Sequence, residues 1–464
     1  MQKFIYTPSG GRYVYITETN QILTINADAD EESPKKKWEA TIIDELYSAK
    51  IMEGKSPDRI LWPNTSEEYV RRLKSGIPAL VLEITQQCTL RCDYCLYSGN
   101  YSGVRTHRSL NMDMDIMRRG IDYYAEHNVD HPTADVTFYG GEPLLRFDDI
   151  RTSVEYTREQ IHGKPLSFHI SSNGTLLDER ILEWLASNQD VSLSITLNGY
   201  GHDRYRHFAG GEGSLSKIMD TLDFVKERYP ALWSRIDFLA NLVSFSELLS
   251  LREFYLKHIG KPPALLTGIL TSHGNESIKN IASEAESDAY APAKAKRLFY
   301  RTNDPYIKPY LSPGIAAIST RSITPLQPEY ARSCCCMPFT TALFIDAEGA
   351  FGICERTGSD ARLGRVEEGI DISACKSLMN EALDLFNERC CSCWAQRLCN
   401  ICYQHFWKND AGALCLPEET CRNTRLAIED DLVLFCEIGE ENPALLRFVQ
   451  KEYQESLTNS KRTT

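Results

Sequence analysis

Three cysteines fall within eight residues, Cys88-Thr-Leu-Arg-Cys92-Asp-Tyr94-Cys95. Thiolates at that spacing can hold three corners of a cubane [4Fe–4S] cluster and leave its fourth iron open for a ligand. The plainer alternatives are a zinc site or three unrelated thiols. Zinc takes four ligands, usually as two spaced pairs, and no fourth cysteine lies nearby in sequence. Two other turns carry glycine and small polar residues at the ends of strand-like runs: Tyr139-Gly140-Gly141-Glu142-Pro143 and Ser171-Ser172-Asn173-Gly174-Thr175. Most of the remaining thiols come late. Of 16 cysteines, three lie at 88–95, none between 96 and 333, and thirteen between 334 and 436.

The first of these motifs directly follows ALVLEIT, an apolar run that reads as a strand. Five more such runs follow: ADVTFYG, LSFHISS, VSLSITL, IDFLANLV and ALLTGIL. Helix-length amphipathic segments separate them at 111–127, 149–161, 178–188, 214–228 and 245–258. Alternation of this kind predicts a parallel sheet with covering helices. A full eight-unit barrel takes about 250 residues, so six units fit a partial barrel better. Catalytic loops gather where strands of such sheets end, which is where Cys88, Cys92 and Cys95 sit. Ahead of them, KFIYT, RYVYIT and QILTIN form a small antiparallel sheet, followed by helical patterning near 38–50 and 66–74. The resulting division is 1–75, 76–275, a connecting segment 276–333, a cysteine-rich region 334–436 and a helical tail 437–464.

Composition narrows the classes. The chain has 464 residues, 42% hydrophobic and 25% charged, which is ample for a large core. Acidic residues number 64 against 51 Lys plus Arg, for a formal charge of -13, so a strong nucleic-acid footprint is absent. No apolar run approaches the ~18–20 residues of a membrane helix. The N-terminus, MQKFIYTPSGGRYVYI, lacks the order of a signal peptide, so a cytoplasmic location is expected. In that setting many cysteines mean metal or redox chemistry more often than a disulfide framework.

Taken together, the Cys88 motif, the Gly-Gly-Glu turn and the Ser-Ser-Asn-Gly-Thr turn resemble the radical S-adenosylmethionine (SAM) superfamily over about residues 79 to 270. The resemblance implies that Cys88, Cys92 and Cys95 ligate a cluster whose open iron chelates the methionine end of SAM. One electron then cleaves SAM to methionine and a 5′-deoxyadenosyl radical, which removes hydrogen from a substrate. It also implies that Gly140, Gly141, Glu142 and Pro143 receive the methionine, with Glu142 on its ammonium. Tyr94 would lie at the adenine. Ser171, Ser172, Asn173 and Asn198 are candidates for the ribose and carboxylate, and Arg206 completes the set. Relatives often have Asp-Gly where this chain has Asn198-Gly199; an amide can still hydrogen-bond, but a carboxylate role is lost.

Cys336, Cys354 and the run Cys390-x2-Cys393-x5-Cys399-x2-Cys402, then Cys421, resemble the SPASM extension, which carries two auxiliary [4Fe–4S] clusters. By that resemblance Cys336, Cys354 and Cys402 bind the first. Cys390, Cys393, Cys399 and Cys421 bind the second. The family has three residues before its penultimate cysteine, against two here between Cys399 and Cys402. Cys334 or Cys335 could add a fourth ligand to the first set, and Cys415 could replace Cys421. Cys375 and Cys436 fall in helical patterning and read as packing thiols.

Phrases such as Phe351-Gly-Ile-Cys354-Glu355-Arg356 and Cys393-Trp394-Ala395 most resemble SPASM maturases of ribosomally made peptides, nearest the thioether-forming branch. The implied architecture is α/β: a partial (β/α)6 radical SAM barrel, an N-terminal winged-helix-like α+β leader-binding module, and a C-terminal SPASM domain. The implied cofactors are three [4Fe–4S] clusters and SAM. The implied partners are a Cys-containing precursor peptide with a leader and an external electron donor of flavodoxin or ferredoxin type, with no nucleic acid and no membrane. The expected reaction joins Cys sulfur to carbon. The alternatives are sulfatase-maturase-like oxidation of Cys or Ser, carbon–carbon crosslinking, and epimerisation.

Overall fold

The computed structural model describes residues 1–25, 35–101, 105–268, 291–332, 336–357, 362–409 and 412–463. Cys334, Cys335, Asn26 and part of the connecting segment lie outside them. The N-terminal sheet is as patterned: β1 (Gln2–Tyr6), β2 (Arg12–Ile16) and β3 (Gln21–Thr24) pair antiparallel in that order, followed by a helix Lys35–Ser48. One face of this sheet buries Val14 and Ile16 against Leu46 and Met52. The other buries Ile5 and Tyr15 against Ile428 and Leu432 of the helix Glu418–Glu441. Thr7 and Tyr13 fasten the docking by donating to Glu440 Oε1 at 3.0 and 2.7 Å.

The next elements join the rest of the molecule. The short strand β4 (Arg59–Leu61) later pairs with a strand far along the chain. The helix Ser66–Ser75 sends Tyr69 and Leu73 into the principal core, with the Tyr69 hydroxyl donating to Pro338 O at 3.2 Å.

Six strands form the body of the main sheet: β5 (Ala79–Thr85), β6 (Ala134–Gly140), β7 (Leu166–Ser172), β8 (Val191–Thr196), β9 (Ile236–Leu242) and β10 (Leu265–Gly268). All neighbouring pairs are parallel, and the order follows the chain. Buried positions along β5 are nearly continuous, as expected of a parallel strand covered on both faces. Helices return between strands where the apolar periodicity placed them, at Met114–His127, Phe147–Gln160, Glu179–Ser187 and Leu215–Arg228. Asp113 and Asp178 cap two of them, accepting from Asp115 N and Ile181 N. This is the partial barrel.

The cysteine-rich region extends that sheet. After β11 (Glu329–Ala331), which pairs parallel with β4, come β12 (Leu343–Ile345) and β13 (Phe351–Gly352). The strand β12 pairs parallel with β5, and β13 pairs antiparallel with β12, giving eight strands in all. The sheet ends at β10 on one side and would end at β5 on the other. An open β5 would expose a row of unpaired backbone groups, and β12 covers them. A helix Ile372–Cys390 then delivers Cys390, and Cys421 lies in the first turn of Glu418–Glu441. Cys375 and Cys436 are buried within the cores, in keeping with packing thiols.

Candidate active site between the sheet and the cysteine-rich region

A cavity of about 580 Å³ opens where β6 to β10 end. Cys88, Cys92 and Cys95 line it together with Glu355, Arg356 and Gln404 of the cysteine-rich region. Its floor is polar, with Thr137, His169, Thr196, Asn241 and Thr267 contributed by successive strands.

The loop carrying the three thiols is held by the Gly-Gly-Glu turn. Gly141 N donates to Thr85 O and Glu142 N to Gln87 O, both at 2.8 Å. Contact this close needs glycine. A Cβ on Gly140, at φ +147, would sit 2.2 Å from Thr85 O, and one on Gly141 would sit 2.1 Å from Gln87 O. The two glycines therefore let the chain approach itself. Gly140→Ala should cost roughly 3 kcal/mol in strain and displaced backbone. Chemical denaturation should show that loss, together with weaker SAM binding; unchanged stability would mean the turn can shift.

Glu142 is buried and accepts from Ser172 Oγ (2.8 Å), Asn173 N (2.7 Å) and Leu144 N (3.1 Å). Burial pushes its carboxyl up, and those three donors with Arg206 pull it down. Its carboxylate thus ties the turn after β6 to the turn after β7 and does not line the cavity, so contact with a methionine ammonium would exchange one of these bonds. Pro143 begins a short 3₁₀ turn and is buried. The second turn braces the thiol loop: Asn173 Nδ2 donates to Thr89 Oγ1 at 3.0 Å and lies 3.7 Å from Cys88 Sγ. Ser171 and Ser172 line the cavity beside it.

Tyr94 is a hub. Its hydroxyl accepts from Asn198 Nδ2 and from Arg206 Nη1, both at 2.9 Å. Asn198 Oδ1 also accepts from Asn241 N at 3.0 Å. One amide therefore donates at one end and accepts at the other, which a carboxylate cannot do. Arg206 is 5% exposed and sits close enough to Cys88 and Cys92 to raise its own pKa through them.

The thiols themselves are set in low dielectric. Burial, then the Glu142 charge, pushes Cys88 up to about 11. Burial, then Cys92, pushes Cys95 up to about 12. Cys92 is also raised by burial, against the pull of Arg206. Three such groups stay protonated unless a strong local positive charge draws the protons off, which iron supplies. Three soft thiol donors from one loop, all lining the cavity, are a donor set that fits an iron–sulfur cluster. Among the described residues, no three His, Cys, Asp or Glu side chains are placed to hold a single metal ion.

The other cysteines fall into two groups. Cys354 feels Cys402, and Cys402 feels Cys336, which is exposed. Cys390, Cys393, Cys399 and Cys421 line a second cavity of about 50 Å³. Cys415 lies apart in a hairpin strand Leu414–Cys415, its thiol 3.5 Å from Ala413 O.

Several residues here carried no signal that sequence reasoning used. Tyr97 lies two residues past Cys95, its N–H 3.4 Å from Cys95 Sγ and its hydroxyl bonded to Glu355 O. Arg105 pairs with buried Glu83 and lies 3.3 Å from the Tyr97 ring centroid. Glu83 in turn accepts from Ala347 N of the cysteine-rich region at 3.1 Å. These contacts lock the two sides of the cavity together across more than 240 residues of chain. Alternation along ALVLEIT does place a carboxylate inside the sheet at Glu83, and a buried carboxylate demands a partner.

Comparison with known proteins agrees with this architecture. Residues 82–242 match the model of the Radical SAM superfamily. An uncharacterised protein of Methanocaldococcus jannaschii is 29% identical over 185 residues, 40% of this chain and 59% of its own length. A probable GTP 3′,8-cyclase of Methanocella arvoryzae is 26% identical over 162 residues, 34% and 45%. A cysteine-type anaerobic sulfatase-maturating enzyme of Clostridium novyi is 28% identical over 155 residues, 32% and 40%. The matches thus span about half the length of these curated relatives. The solved structure of native anSMEcpe with bound AdoMet and Cp18Cys peptide superposes with a TM-score of 0.56 at 17% identity. It covers 81% of this chain and 99% of that one, a likeness of fold.

Proposed function

From a chain that carries a radical SAM domain, we propose a peptide maturase that forms intramolecular thioether crosslinks in a ribosomally made precursor. The observation that carries this reading is a cavity lined by Cys88, Cys92 and Cys95 and also by residues of the cysteine-rich region. Those residues are Glu355, Arg356 and Gln404, neighbours in sequence of Cys354 and Cys402. When bound, the cluster and SAM supply one-electron cleavage to methionine and a 5′-deoxyadenosyl radical.

The chain's own residues then bind, orient and exclude water. Tyr94, Asn198, Asn241 and Arg206 form a fixed polar wall at the sheet side. Arg206 offsets the negative charge of the thiolates. The Glu355–Arg356 pair, 3.5 Å apart, presents both charges to an incoming chain. Cys336, Cys354 and Cys402 would hold the first auxiliary cluster, and Cys390, Cys393, Cys399 and Cys421 the second. The electron donor is an external flavodoxin- or ferredoxin-type protein.

Nucleotide cyclisation is the second reading, favoured by the cyclase relatives. The described cavity lining answers a triphosphate with two arginines, of which Arg206 is buried on the thiol side. Multiple phosphates call for several exposed forks. Oxidation of Cys or Ser in the manner of sulfatase maturases uses the same cavity, and the leader-binding reading of the N-terminal sheet weighs against it.

That sheet offers the test. Ile25 N donates to Arg12 O at 2.8 Å, so Leu23 and Gln21 also face β2, while Ile22 and Thr24 turn their backbone groups to the open edge. A leader strand would add there. Thr24→Pro removes an outward N–H and leaves the β2 pairing whole. Fluorescence anisotropy with a labelled precursor should show about tenfold weaker binding, with uncoupled SAM cleavage retained. Unchanged affinity rejects the docking role.

A further inference from the structure

Arg332 follows β11, is 2% exposed, and lies in the small cavity lined by Cys390, Cys393, Cys399 and Cys421. Its Nη2 donates to Cys399 Sγ at 3.3 Å, and its guanidinium carbon sits 4.1 Å from the Phe386 ring centroid. Withdrawing a guanidinium from water is costly unless negative groups receive it. Among the groups that face it are the Cys399 sulfur and the Phe386 ring. Two more arginines flank the same set. Arg389 and Arg425 line the same small cavity, and Glu418 is paired to both.

The first auxiliary set has a different setting. Glu355 and Arg356, which follow Cys354, form an ion pair with each other, and His405 Nδ1 lies 3.7 Å from Cys402 Sγ. Reduction adds negative charge to a cluster, so a buried cation bonded to a ligating sulfur favours the reduced form. Burial keeps that effect from being screened.

We infer that Arg332 holds a cluster bound by Cys390, Cys393, Cys399 and Cys421 at a higher reduction potential than that cluster would have without the buried cation. The inference rests on the reading that both sets carry clusters. It assigns to Arg332 a positioning and tuning role, apart from substrate and SAM.

The test is a redox titration of the full chain, reconstituted without oxygen and followed by electron paramagnetic resonance. Wild type should hold about twelve irons. A Cys354→Ala, Cys402→Ala double variant assigns the two auxiliary signals by removing the first. In Arg332→Met and Arg332→Gln the second cluster's signal should move to more negative potential. The expected size is about tenfold in the oxidised-to-reduced ratio at fixed potential, about 59 mV for one electron. Arg332→Lys, which keeps the charge, should recover most of it, and the other two signals should stay. Unmoved potentials in whichever variant retains its iron overturn the inference. So does loss of the second cluster in both neutral variants, which would make Arg332 a structural prop. Iron for one or two clusters in wild type instead sinks the underlying assignment of clusters, independently of any Arg332 variant.

Discussion

Replacing Cys88, Cys92 and Cys95 together by Ala abolishes 5′-deoxyadenosine formation and removes about a third of the iron of the reconstituted protein. The expected loss of rate is complete, because nothing else at the cavity holds the same position. Cys88 is fixed by the turn after β7, through Asn173, and Cys95 by the Tyr97 N–H. The backbone of this loop is pinned to Gly141 and Glu142 by bonds that do not involve the sulfurs. The substitution should therefore leave the fold standing. The other cysteine sets are carried by different elements, β13 and its following turn, the helix Ile372–Cys390 and the helix Glu418–Glu441. Their iron should remain. Anaerobic assay of 5′-deoxyadenosine by chromatography, with iron and sulfide counts on the same sample, decides it. Full SAM cleavage by the triple variant would sink the assignment of these thiols.

How much of this was legible follows from the range over which each signal acts. The six strands declared themselves because each is a short segment with apolar residues at least at alternate positions, set off from the next by a helix-length segment. Cys88, Cys92 and Cys95 were legible because their spacing is local. Glu142 stood out in sequence through the Gly-Gly-Glu turn as a contact for the methionine ammonium, whereas its burial and its bonds to Ser172 and Asn173 depend on strand neighbours.

The pairing of β12 with β5 was not legible. Three residues carry it, Leu343 opposite Leu80 onward, and nothing in so short a run names a partner over 250 residues away. The helix Glu418–Glu441 begins well before the helical tail expected from 437, although Pro417 with Glu418 and Glu419 behind it is a fair entry signal. The polar face of that first turn hid the periodicity. Arg332 had no signal at all, since a single arginine beside a cysteine triplet reads as surface until burial is known. Helix 66–75 was grouped with the N-terminal sheet by proximity in sequence, yet Tyr69 and Leu73 pack into the principal core. Residues 1–52 and 59–75 thus answer to different cores.

The product of the proposed reaction should be two hydrogens lighter for each crosslink, with one fewer alkylatable thiol each time. Atom balance dictates this. The acceptor carbon loses a hydrogen atom to the 5′-deoxyadenosyl radical, and the substrate thiol loses a proton. When sulfur and carbon bond, one electron is left over and must go to an acceptor. Cys336, Cys354 and Cys402 are three protein thiols, one short of the four that close a cubane. Of these, Cys336 is exposed, while Glu355 and Arg356 next to Cys354 line the cavity. A substrate thiol could complete such a set from the cavity side, held deprotonated by the metal charge. The neighbouring metal centre would then take the spare electron. Mass spectrometry of the product after reduction and alkylation reads both quantities at once. Loss of two hydrogens with every thiol still alkylated would make the reaction carbon–carbon crosslinking, with the first auxiliary set closed to substrate. Unchanged mass with deuterium taken up from solvent would make it epimerisation, in which the carbon radical is quenched by a donor from the protein. The mechanisms share hydrogen abstraction and part at the fate of one electron and one thiol, so the two readings together separate them.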